Sequence, residues 1–179
     1  IESKREKIGS TVGTFFRAST LEARLPLVRD AERVRPLMEQ YYKRAPMDTY
    51  QLRGLGWLVR VNEPGRRFGY VQALFEDATA SSLVVEETAS GEILIDWECL
   101  VRYGEVAWQD FLRLRPAQPT LMRLIASRSA QTPSGSNPSE GDGEWLELRH
   151  PAEPGTVLGY LDKADPKLTG LVKQLQDGK

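Results

Sequence analysis

The stretch Gly54-Leu55-Gly56-Trp57-Leu58-Val59-Arg60-Val61-Asn62-Glu63-Pro64-Gly65 decides the fold class. Leu55, Trp57, Val59 and Val61 alternate with Gly54, Gly56, Leu58 and Arg60, the period-two pattern of a strand with one apolar face. Asn62-Glu63-Pro64-Gly65 closes the strand with Pro before Gly, the order a type II turn favours. Further strands are predicted over 68–77 and 81–88. Ala89-Ser90-Gly91 then turns the chain into Ile93-Leu94-Ile95-Asp96-Trp97. Residues 50–98 therefore read as an antiparallel meander of three or four strands.

Upstream of the meander the period is helical. Ile8, Val12, Phe15 and Phe16 share one face of a helix over 5–18. Ser19 stands three residues before Glu22, the spacing of a capping box, and introduces a short helix over 20–25 that Pro26 ends. Asp30 can cap a third helix carrying Val34, Leu37, Met38, Tyr41 and Ala45, with Pro36 as a kink or first-turn residue and Pro46 as its stop.

Downstream, Val106, Trp108, Phe111 and Leu112 predict a helix over 105–114, stopped by Pro116 and Pro119. Strands follow over 121–129, 145–150 and 156–161. Residues 131–143 hold no large apolar side chain and read as a flexible loop. Asp165-Pro166 starts a C-terminal helix with Leu168, Leu171, Val172 and Leu175 on one face. Helices do not alternate with strands, so the plan is α+β, not α/β. It reads as a single domain over 1–179, with N-terminal helices packed on a strongly bent antiparallel sheet and a C-terminal helix. Residues 1–7 serve as a linker or helix lead-in.

The 179 residues carry 24 basic and 25 acidic side chains, a net charge of −1 that argues against a strongly basic nucleic-acid binder. The total conceals a segregation. Residues 1–67 hold 14 basic and 8 acidic groups, whereas 68–112 hold 1 and 9. Either the layers pair internally, or two opposite faces help protomers associate.

The chain opens on Ile1, which suggests residues upstream: a removed signal or membrane anchor, or a boundary cut by hand. No apolar run in the sequence reaches the ~18 residues a span needs. Cys99 is the one cysteine and reads as a small buried hydrophobe; it cannot form an internal disulfide, and with one His it cannot build a Cys/His zinc site.

Asp96-Trp97-Glu98 is the most chemically suggestive spot. Strand parity would place Asp96 and Glu98 on one face about 7 Å apart, as an acid/base pair or a cation site. The plainer reading is a solvent-facing strand edge entering a helix that Asp96 caps. His150, before Pro151, is a candidate base or a turn residue. Asp96, Glu98, Trp57, Tyr70 and His150 together form the candidate pocket. No nucleophile elbow, phosphate-binding glycine loop or His-Glu-x-x-His helix occurs in the sequence, so no catalytic, metal or cofactor residue is assigned.

The layout of helices 5–18 and 31–45, meander 50–98, helix 105–115 and strands 121–161 resembles the nuclear transport factor two-like superfamily, a cone of helices closed by a bent sheet. More narrowly, Phe16-Arg17-Ala18-Ser19-Thr20, residues 27–34, Asp96-Trp97-Glu98 and Leu158-Gly159-Tyr160 resemble segments of uncharacterised bacterial proteins that carry an upstream membrane anchor. The resemblance implies a fold and no activity. Two functions stay open. One is a soluble non-catalytic module for a protein partner or homodimer, assembled at the cell envelope and tethered through an upstream segment. The other is a small-molecule-binding protein or a lyase/isomerase-like enzyme using the cone interior. No nucleic-acid partner and no cofactor are expected, and without an anchor the protein would be cytoplasmic.

Overall fold

Ile8, Val12, Phe15 and Phe16 form the buried stripe of helix α1 (Glu2–Arg17) in the computed structural model. The structure describes residues 2–63, 66–130, 143–162 and 164–165. The predicted loop 131–143, up to residue 142, and the predicted C-terminal helix from Pro166 on lie outside them. The chain divides into two compact units, Ile1–Val101 and Arg102–Lys179, where the sequence reads as one domain. Helices and antiparallel sheets make it α+β, and among the described residues the strands form two sheets, one of four strands and one of three.

In the first unit α1 begins at Glu2, so the charged lead-in is already helical. Thr20, not Ser19, caps α2 (Leu21–Arg24), its hydroxyl accepting from the Ala23 amide at 3.3 Å. A short 3-10 turn (Leu25–Leu27) follows. Asp30 precedes α3 (Ala31–Tyr42) in the left-handed region at φ 52° and makes no side-chain cap. Its carboxylate lies 3.5 Å from Arg29 Nε and 3.6 Å from Arg33, so it is spent on guanidinium groups rather than helix amides. The helix runs through Pro36, which faces outward, and buries Val34 and Met38 on the predicted stripe.

Arg24 is buried beneath these helices. Its guanidinium donates to the carbonyls of Ala18 (3.0 Å) and Asp48 (2.6 Å) and to the Tyr42 hydroxyl (3.0 Å). Neutral oxygens thus satisfy a buried cation and hold the end of α1, the end of α3 and the lead into the sheet in one place.

The sheet runs β1 (Leu52–Glu63), β2 (Arg66–Phe75), β3 (Ala80–Glu87) and β4 (Ile93–Ile95), all antiparallel neighbours. Its helix-facing side carries Val71, Ala73, Phe75, Leu83, Val85, Ile93 and Ile95, all buried. The alternation predicted for β1 is interrupted. Leu55 pairs with Ala73 and Leu58 with Val71, so three steps on β1 match two on β2. The extra residue is a bulge at Gly56-Trp57. A Cβ at Gly56 would lie 2.3 Å from Gln72 Oε1, so a larger residue there would displace the Gln72 side chain. The consequence is a change of face: Leu55 and Leu58 point to the helices, while Trp57 and Val59 stand on the outer side. Arg5 of α1 donates to the carbonyls of Leu55 and Gly56, which blunts this edge strand against further pairing.

The second unit is built on α5 (Trp108–Leu114) and a sheet of β5 (Ile125–Arg128), β6 (Gly143–Arg149) and β7 (Thr156–Asp162). The predicted strand 121–129 shortens to β5, preceded by an isolated bridge between Gly104 and Met122. The buried Trp108 donates its indole N–H to the Pro154 carbonyl at 3.1 Å and stacks on Phe111. Gly155, at φ 100°, takes the backbone conformation that favours glycine, and a Cβ there would also crowd Leu112 Cδ1 at 2.5 Å.

Candidate functional site

The strand that should carry both carboxylates ends at Ile95. Asp96 then caps α4 (Trp97–Leu100), accepting from the Cys99 amide at 2.9 Å, as the plainer sequence reading has it. The helical turn breaks strand parity, and both carboxylates are buried, not solvent-facing. Asp96 Oδ2 lies 3.3 Å from Arg29, whose guanidinium also reaches Glu86 at 3.4 Å. Glu98 is gripped by both terminal nitrogens of Arg33. Donating to Glu98 holds the Arg33 guanidinium above its ordinary range, against its own partial desolvation. Through these guanidinium groups the two acids tie Arg29 and the first turn of α3 to the end of β4 and to α4. The backbone does the same beside them, where Arg29 N–H donates to the Ile95 carbonyl at 2.9 Å.

The other candidates lie elsewhere. Trp57 and Tyr70 are on the outer sheet face, 45% and 49% exposed. His150 belongs to the second unit. There it stacks on Trp108, and its Nδ1 accepts from the amides of Ala152 (3.3 Å) and Glu153 (3.1 Å). The turn reading of His150 is the one its bonds fit. Cys99 is half-buried.

A pocket does exist in the first unit, and none of the five candidates lines it. It has a volume of about 190 Å³, is open on one side, and lies on the helix-facing side of the sheet beneath the first turns of α1. Ile8, Leu58, Gly69, Val85 and Ile93 make an apolar floor; Lys4, Arg60, Arg67 and Glu87 make the rim. The cross-strand register explains the assembly. Gly69 pairs with Arg60 on one side and Val85 on the other, and Glu87 pairs with Ile93. On each strand the inward face runs from an apolar or small residue to a charge: Leu58 to Arg60, Gly69 to Arg67, Val85 to Glu87. That signal was in the sequence. It escapes a search for catalytic motifs because no rim residue belongs to one.

Lys4 Nζ lies 2.6 Å from both carboxylate oxygens of Glu87, and Arg67 stands 3.6 Å from Oε1. The Lys4 hydrogen bond is the main reason that the Glu87 carboxyl sits below the usual glutamate range; its burial opposes this, and the charges of Arg67 and Arg60 add to it. Because the folded-state pKa is the lower one, the pair's stabilisation is complete above the unfolded value of about 4.3 and is lost as pH falls through the folded value. Glu87→Gln is therefore expected to flatten the acid limb of stability against pH below about pH 5. Denaturant titrations from pH 3 to 7 check this, and an unchanged acid limb would contradict it.

The charge segregation resolves into the ion pairs already described and those at the rim. Lys4 to Glu87, Arg29 to Glu86 and Asp96, Arg33 to Glu98 and Arg67 to Glu87 each join the basic stretch 1–67 to the acidic stretch 68–112. The internal-pairing reading is the one these bridges express.

Among the described residues no group of three or more His, Cys, Asp or Glu side chains could hold a metal ion, and no helix is long and apolar enough to cross a membrane. No family model, no curated protein and no solved structure matches the chain.

Proposed function

We propose that the first unit is a non-catalytic binding domain that holds a small organic molecule between α1 and the sheet. The observation that carries this reading is the pocket itself, lined about equally by apolar and polar atoms, with the charged groups Lys4, Arg60, Arg67 and Glu87 beside apolar side chains. At about 190 Å³ it is smaller than the ~300–1,000 Å³ of drug-sized sites, so the occupant is small or inserts only one end. The buried carboxylates, which an acid/base mechanism would use, are instead occupied by Arg29 and Arg33.

The test is calorimetric titration with three ligands of one chain length, octanoate, octanamide and octylamine, against the native protein and Leu58→Trp. Leu58 is half-buried at the floor, and the larger ring fills the space. At least one ligand is expected to bind saturably at one site, with affinity falling by about tenfold or more in the variant, the equivalent of ~1.4 kcal/mol. No saturable binding by any of the three, or binding indifferent to Leu58→Trp in a variant that still melts cooperatively, would remove the reading.

A protein-contact function has its own support. Val59 and Tyr70 are paired across β1 and β2, and with Trp57 they set three large apolar side chains on the outer sheet face, 45–54% exposed. Aromatic side chains on an otherwise polar surface are the usual anchors of protein interfaces.

A further inference from the structure

Resting on the pocket reading above, we propose that the ligand is an amphipathic anion: a carboxylate on a compact apolar body, with its head among Lys4, Arg60 and Arg67 and its body on Gly69 between Leu58 and Val85. The rim sets three cations against one carboxylate. Glu87 is taken up by Lys4 at 2.6 Å and reached by Arg67 at 3.6 Å. Among the described residues Arg60 has no carboxylate within ion-pair distance. The mouth therefore keeps an uncompensated positive charge over an apolar floor, which fits a molecule with an anionic head and an apolar body. Guanidinium groups suit the head because they bind carboxylates in a two-pronged fashion.

Gly69 shapes the floor on which the apolar body would rest. It is buried in mid-strand, where glycine weakens a sheet, and its φ is not in the left-handed region, so no turn demands it. A Cβ there would lie 3.2 Å from Val85 Cγ2 and 3.4 Å from Leu58 Cδ1. A side chain at this position would crowd both neighbours and rise into the floor. Glycine inside a strand often marks a site where another group comes close to the backbone, and here those groups are the Val85 and Leu58 side chains that line the pocket.

Glu87 has a defined part in this arrangement. It occupies Lys4, so an incoming anion competes with it for the ammonium. Removing the Glu87 charge should then strengthen anion binding, whereas removing Arg60 or Arg67 should weaken it.

The same three ligands separate this inference from the broader reading. Octanoate is expected to bind about tenfold or more tightly than octanamide, with octylamine weakest, and the preference should shrink as salt rises. Arg60→Gln and Arg67→Gln, both at exposed positions, should each reduce octanoate affinity several-fold and octanamide affinity by much less. Glu87→Gln should raise octanoate affinity, a direction that general loss of structure would not produce. Octanamide binding as tightly as octanoate, with both sensitive to Leu58→Trp, would overturn the anion inference and leave the pocket standing. Binding of none of the three would overturn both.

Discussion

Replacing Arg33 by Met is expected to destabilise the first unit by about 3 kcal/mol, although Arg33 is itself half exposed. The reason lies in its partner. The Arg33 side chain is 48% exposed and that of Glu98 only 2%, so the guanidinium can return to water and the carboxylate cannot. Loss of the cation removes the charge that both terminal guanidinium nitrogens bring to Glu98 where hydration is poorest. For about 100 residues this corresponds to a Tm lower by roughly 10–20 °C. Glu98→Leu in the Arg33→Met background should restore most of the loss, because an apolar side chain of similar size no longer needs the cation. Denaturant unfolding of the two single variants and the double variant measures the coupling. A change within about 0.5 kcal/mol for Arg33→Met, the level of an ordinary surface substitution, would contradict this account of the ionic seam.

The second large effect is expected at Trp97, where Ala should cost about 3–5 kcal/mol. Trp97 is fully buried at the start of α4. Its ring meets Tyr41 edge-on at 5.5 Å between centroids, and its indole N–H donates to the Tyr42 hydroxyl at 3.1 Å. That hydroxyl also accepts from Arg24, so one side chain joins the core of α3 to the buried cation that holds the end of α1. Truncation leaves a cavity and takes a donor from the Tyr42 hydroxyl. Trp97→Phe keeps most of the ring volume and should cost clearly less than Ala. Equilibrium unfolding checks both, and a loss under about 1 kcal/mol for Ala would mean that the helix packs without this ring.

The helices were legible because their apolar residues recur at helical spacing, and each predicted stripe of α1 and α3 is buried or half-buried. The meander was legible for the corresponding reason at a period of two. Faces were less so. A single extra residue at Gly56-Trp57 turns Trp57 and Val59 away from Leu55, and a bulge leaves no mark in an alternation count. The Asp96 cap was readable from its place before a helix. The burial of Asp96 and Glu98 was not, because it depends on arginines more than sixty residues upstream. The pocket was the least legible part. Its rim draws single charges from α1 and three strands, and only the register brings Arg60, Gly69 and Val85 side by side.

The measurement that bears most directly on the pocket is an amide-resolved NMR titration of the native protein with octanoate at low salt. The predicted result is a saturable set of shifts at Ile8, Leu58, Gly69, Val85 and Ile93, residues that share the helix-facing side of the sheet and no stretch of sequence. Shifts confined to Trp57, Val59 and Tyr70 on the outer face, or no saturable shift at all, would contradict it.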